Sequence, residues 1–260
     1  MELREWAIRI LGGDTLEEKL LDPGPLTDEH PGTTLLFDEP TRPAGMGFRK
    51  HTRKDKLPKL TEHNEPDKRA VCLHRFAGHE LLAVEIMAYA LLAYPNAHGH
   101  FRRGIANTLK EEQEHVRLYC KRLEGMGVRF GDLPLYKHFW HYTPYLKTPE
   151  QYLSVMSLTF EMANLDFAPQ YGASFAKQGD TASADLMKRI LRDEIAHVSF
   201  GWHWLKKLKK PDDPMWNTYL ASLPEKLTPQ RAKGPIYNEN YRLEAGVSQE
   251  WLNEFSSLHE

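Results

Sequence analysis

Glu111-Glu112-Gln113-Glu114-His115 and Asp193-Glu194-Ile195-Ala196-His197 carry one pattern twice, an acid followed by Glu-x-x-His. Each copy is preceded by another glutamate at a matched distance. Glu80 stands 32 residues before Glu112, and Glu161 stands 33 before Glu194. A single Glu-x-x-His means little. With 13 histidines in 260 residues, about one such pair is expected by accident. Register carries the weight: both pairs sit mid-helix, at matched distances after a further mid-helix glutamate, in segments that alternate as an antiparallel bundle demands.

Residues i and i+3 share a helix face, so Glu112 with His115, and Glu194 with His197, each present two donors on one side. Antiparallel pairing brings Glu80 level with the first pair and Glu161 level with the second. Their neighbours Ala77, Leu81, Val84, Leu158, Ala163, Ile190 and Val198 are apolar, which implies a buried stripe. Carboxylates left unpaired in such a core cost several kcal/mol each, and two divalent cations would offset four of them. Exposed glutamates beside satisfied histidines would be the plainer reading, but it leaves the apolar surroundings unexplained. Glu80, Glu112, His115, Glu161, Glu194 and His197 are therefore expected to ligate a two-metal centre in a four-helix bundle.

The helices around the motif fit that architecture. Residues 70–94 read as a helix that Pro95 stops, and the short 95–99 connection sends the next helix, 100–124, back antiparallel. About 24 residues follow before Thr148, enough to run the roughly 38 Å length of a 25-residue helix. Such a stretch is the long crossover of an all-α, ferritin-like bundle made of two hairpins. Thr148-Pro149-Glu150-Gln151 has the cap, first-position proline and capping-box glutamine of a helix start. This third helix runs to about Lys177 with Pro169 inside it, and a fourth runs from a cap at Asp180 or Thr181 to about Lys210. The expected organisation is an N-terminal arm (1–69), a di-metal bundle (70–210) and a tail (211–260). The arm holds a short amphipathic helix near Glu2 to Leu11 and several prolines; the tail holds short helices near 215–223 and 249–255.

Net charge is −2 and 41% of residues are hydrophobic, so no global field draws the chain to nucleic acid or an anionic membrane. No uninterrupted apolar run approaches the roughly 20 residues of a membrane span. The start, Met1-Glu2-Leu3-Arg4-Glu5, lacks the pattern of a secretory leader. Cys72 and Cys120 have no CxxC spacing and read as reduced thiols, so a cytoplasmic setting is expected. A basic cluster (Arg49, Lys50, His51, Arg53, Lys54, Lys56, Lys59), with Lys206, Lys207, Lys209 and Lys210, reads first as solvated surface and only secondarily as a nucleic-acid contact.

The repeat extends beyond the six ligands. Glu111 and Asp193, four residues before each histidine, can reach an imidazole N–H and orient it. Glu85 and Asp166, five residues after the first glutamate of each half, point too far round the helix for the metals and are expected to bond neighbouring helices. Glu114 faces away and reads as surface charge. Tyr119 and Tyr171 are candidates for a redox-active tyrosine. Phe139, Trp140, Tyr142 and Tyr145 in the crossover either line a substrate channel or pack over the bundle.

Across Arg75 to about Leu208, His79-Glu80-Leu81-Leu82-Ala83-Val84-Glu85, Glu111 to Tyr119 and Asp193 to Trp202 resemble the ferritin-like di-iron carboxylate superfamily. They are similar to a branch of uncharacterised bacterial ferritin-like proteins and, more distantly, to tRNA-modifying di-iron hydroxylases. The resemblance implies iron at the six residues above. A carboxylate-rich site with one imidazole per metal suits two Fe ions, with Mn as the other option. The leading expectation is an enzyme that uses dioxygen, with an electron donor, to oxidise or hydroxylate a small molecule or an appended group. A ferroxidase or iron-handling protein, a peroxide-destroying di-metal protein and a bundle that keeps its ligands for stability alone are the other readings. Substrate, electron donor, and whether the chain forms a homodimer are not read from the sequence.

Overall fold

The computed structural model describes residues 1–50, 52 and 55–258; His51, Arg53 and Lys54 of the basic cluster lie outside them. Among the described residues the regular structure is all-α, apart from a parallel pair of two-residue strands, β1 (Phe48–Arg49) and β2 (Leu135–Tyr136). Contacts divide the chain into two units, Met1–Pro144 and Tyr145–Glu260. The division follows the repeat: each unit contains one long helical hairpin and the extension on its own side of the chain.

In the first unit, α3 (Pro66–Ala93) and α4 (Gly99–Glu124) form the hairpin. α3 begins four residues before the expected start because Pro66, at the first helical position, is preset for a helix. By length and composition α3 could cross a membrane, yet 83% of its most apolar window is buried inside the protein. Glu80 and Glu85 break its apolar run, which is why a count of uninterrupted apolar residues passes over it. Cys72 in α3 and Cys120 in α4 are free thiols. Burial pushes their pKa values up to about 12 and about 11, so both stay protonated and unreactive.

The arm is tied down rather than loose. α1 (Leu3–Gly12) buries Leu3, Trp6, Ala7, Ile10 and Leu11, the stripe read from the sequence, and packs on α3. Beyond the short α2 (Leu16–Lys19), polar contacts take over. Glu85, wholly buried in α3, receives Lys19 Nζ at 3.1 Å and Arg42 Nη2 at 2.6 Å. Arg102 grips both oxygens of Asp28 at 2.8 Å and donates to the carbonyls of Leu91 and Tyr94. Gln113 Nε2 donates to the Lys19 carbonyl at 2.8 Å, and Arg117 to that of Leu20. Buried charges of this kind add little net stability, but a displaced arm would leave them unpaired, so they dictate where it lies.

The crossover runs lengthwise along α3. Gly131 and Leu133 donate backbone N–H groups to His74 Nε2, at 2.9 and 3.3 Å. Phe139 packs on His79, and Tyr89 donates to the Thr143 carbonyl at 3.5 Å while its ring meets Trp140 edge-on. From His74 to Tyr89 is 15 residues, or about 22 Å of helix. The chain therefore passes the first hairpin in the direction of α3 before the third helix begins.

His74 makes this seam sensitive to acid. Burial, reinforced by the Arg75 charge, pulls its pKa from 6.5 down to about 4, and its Nε2 accepts two N–H bonds only when unprotonated. The unfolded chain takes up a proton near pH 6.5, which the folded chain resists until about pH 4. The contribution is thus full above pH 6.5 and is lost as pH falls through that window. The stability advantage of the protein over His74→Gln is expected to shrink by about 2–3 kcal/mol between pH 7 and pH 4.5 in urea titrations. A pH-independent difference would contradict the protonation argument.

The second unit starts at the expected capping box. Thr148 Oγ1 accepts the Gln151 N–H at 3.4 Å and Gln151 Oε1 accepts the Thr148 N–H at 3.2 Å. The third helix, expected from 148 to 177 with a kink at Pro169, is interrupted earlier. α5 (Pro149–Val155) passes into a π-helical turn, Met156–Glu161, before α6 (Met162–Lys177) resumes. α6 pairs with α7 (Thr181–Leu208), whose cap is Asp180, accepting from the Ser183 N–H at 3.0 Å. The tail adds α8 (Met215–Ser222), α9 (Glu239–Glu244) and α10 (Gln249–Ser256). It is anchored by Asp166, wholly buried in α6, which receives both Arg242 Nη atoms at 2.8 Å and the N–H groups of Gly234 and Asn238. Glu85 and Asp166 thus hold arm and tail, as their place in the repeat suggested, although their partners lie in loops and short helices rather than in the long hairpins.

Candidate metal centre

In the first unit, Glu80 of α3 and Glu112 and His115 of α4 are buried, and one donor atom from each lies within 4.8 Å of the other two. His115 Nδ1 is 3.0 Å from Glu112 Oε2. Two donors held about 2.1 Å from one cation at right angles are separated by about 3.0 Å, so the pair presents both atoms to a single point. Nothing else in this stretch of α4 competes. Glu111 and Glu114 are exposed, with Glu114 beside Arg117, while Gln113 and Arg117 hold the arm.

The second unit carries a comparable carboxylate–imidazole pair. Glu194 and His197 are buried on α7, with His197 Nδ1 3.6 Å from Glu194 Oε2. A carboxylate oxygen of Glu161, the last residue of the π-helical turn, lies within 4.8 Å of a His197 ring nitrogen. In both units the same imidazole atom faces the same arm of the Glu-x-x-His glutamate. The first unit gathers two carboxylates and one imidazole that could hold a metal ion. The donor set is hard, oxygen-rich and free of thiolate.

Several neighbours were legible and others were not. Asp193 accepts from Arg189 Nε at 2.6 Å along the same helix. Tyr119 is buried one turn beyond His115 with Phe76 edge-on, and Tyr171 lies beside Phe175. Of the crossover aromatics, Trp140 is buried and donates Nε1–H to the Asp38 carbonyl at 2.7 Å, whereas Tyr145 is 47% exposed. Asn164 was missed: its Nδ2 donates to Glu194 Oε1 at 2.7 Å, orienting that carboxylate. Its spacing of i+3 from Glu161 was the available signal. The first half has Ala83 at the matching place, so the repeat itself gave no hint.

Buried carboxylate and imidazole groups that could hold a metal ion lie on the helical hairpins of an all-α protein. The chain belongs to the DUF455 family, described as a protein of unknown function, which it matches over residues 14–253. The matched span takes in all six candidate ligands together with most of the arm and tail. The chain is also similar to an uncharacterized protein of Haemophilus influenzae, 28% identical over 198 residues, covering 71% of this chain and 68% of that protein. No solved structure matches it.

Proposed function

We propose that Glu80, Glu112, His115, Glu161, Glu194 and His197 hold a dinuclear iron centre of the ferritin-like kind, and that the protein uses it with dioxygen to oxidise or hydroxylate an organic substrate. The observation that carries this reading is the burial of Glu80, Glu112 and His115 with their donor atoms gathered within 4.8 Å. Buried acids so close repel one another unless a cation joins them. The internal repeat of the sequence supplies the argument for a second ion beside the first. Bound there, iron would supply the electrons that activate dioxygen.

The chain's own residues then have plain tasks. Glu80, Glu112, His115, Glu161, Glu194 and His197 bind; Asn164 orients Glu194; the apolar walls of α3 and α7 keep water out. His79, next to Glu80, stacks at 5.5 Å on His138 and packs against Phe139, giving a substrate a polar and aromatic approach beside the first ligand. Arm and tail fall inside the family match and favour an enclosed substrate site over a bare storage subunit. The free, unreactive thiols suit a reducing cytoplasm.

The test is anaerobic loading with ferrous iron followed by a measured pulse of dioxygen. About two ions per chain and about one dioxygen consumed per pair, with no further turnover until reductant is added, is the expected result. Continued iron uptake into a mineral would instead identify an iron-handling protein, and rapid release of oxygen from added peroxide would identify a peroxide-destroying one.

A further inference from the structure

The π-helical turn Met156–Glu161 ends on a candidate ligand, and the tail holds it in shape. All six of its residues are buried. A π-helix bonds five residues back where an α-helix bonds four, and a turn of it inside a longer helix persists only with outside support. Two supports are visible.

The first is a notch in α7. A Cβ placed on Gly201 would stand 2.2 Å from Ser157 Cβ, so the widened turn sits directly against glycine backbone, one helical turn beyond His197. The second is a hydroxyl chain. Thr159 Oγ1 donates its proton to the Ser154 carbonyl at 2.7 Å, five residues back in the π register. That proton being used, the Tyr219 hydroxyl 2.9 Å away is the donor to Thr159. Tyr219 belongs to α8, which packs on α5, and its ring meets Trp216 and Trp251, at 5.6 and 5.4 Å, which also contact each other. The hydroxyl is therefore delivered from a rigid aromatic cluster.

We infer that Tyr219, acting through Thr159, is a positioning residue that holds the π-helical turn and so sets where the Glu161 carboxylate stands for metal binding. Relaxing the turn to α register would rotate Glu161 by about 100° around the helix relative to α5. The inference rests on the metal reading above and assigns the tail a task in it.

Ferrous iron titrated anaerobically into Tyr219→Phe, Thr159→Val and Thr159→Ser, followed by calorimetry, separates the possibilities. Tyr219→Phe and Thr159→Val are expected to weaken binding of one ion by at least about tenfold, while Thr159→Ser, which keeps the hydroxyl, binds like the unaltered protein. Phe255→Leu loosens the same cluster without touching the hydroxyl chain. It should lower the melting temperature and leave ferrous affinity alone. Unchanged affinity in Tyr219→Phe, or an equal loss in Phe255→Leu, overturns the positioning role while leaving the metal reading intact. No binding by the unaltered protein overturns both.

Discussion

Glu112→Ala and His197→Ala are each expected to lose the proposed binding of two metal ions per chain, read as metal content after anaerobic loading and desalting. Each variant removes one donor from a set of three, and the neighbouring carboxylates cannot move into its place because they sit on packed helices. Glu112→Ala acts in opposite directions on stability without and with metal. In the metal-free protein, removing Glu112 relieves repulsion with Glu80, whose carboxylate lies within 4.8 Å, so the apo variant melts higher. With metal at about 100 times its dissociation constant, the unaltered protein gains about 2.7 kcal/mol per ion, a rise of about 5 °C or more, which the variant forgoes. Retention of two ions by both variants, with no reversal in melting order, would remove these residues from the ligand set.

The largest purely structural effect is expected at Asp166. Asp166→Ala leaves the wholly buried Arg242 guanidinium without its carboxylate and strips the Gly234 and Asn238 N–H groups of their acceptor. Breaking such a buried pair from one side costs about 3–5 kcal/mol. Urea unfolding should show a loss of that size, and limited proteolysis should cut first between residues 229 and 244. Asp166→Asn, which still accepts from the backbone, should lose less. A change below about 1 kcal/mol in Asp166→Ala would mean that the tail is held by its aromatic cluster alone.

What the sequence disclosed depended on how local each cause is. Caps at Thr148, Asp180 and Ser248, and the apolar stripe of α1, follow from neighbours within a turn or two, and all are present. The Glu-x-x-His pairs are local too, so their faces could be read directly. The π-helical turn could not. Met156-Ser157-Leu158-Thr159-Phe160-Glu161 reads as ordinary helix, and its widening depends on Gly201 and on Tyr219, 60 residues from Thr159. The path of the arm likewise hangs on Asp28 meeting Arg102 across 74 residues. Proline spacing could announce an irregular segment but not its anchor points. Asn164 stayed hidden for another reason: it breaks the repeat that made the other site residues visible.

Six side chains, three from each hairpin, are proposed to hold two metal ions. Anomalous diffraction at the iron edge from crystals loaded anaerobically with ferrous iron tests it most directly. Two peaks are expected, one beside Glu80, Glu112 and His115 and the other beside Glu161, Glu194 and His197. No peak at these residues, or iron bound only elsewhere on the chain, would contradict it.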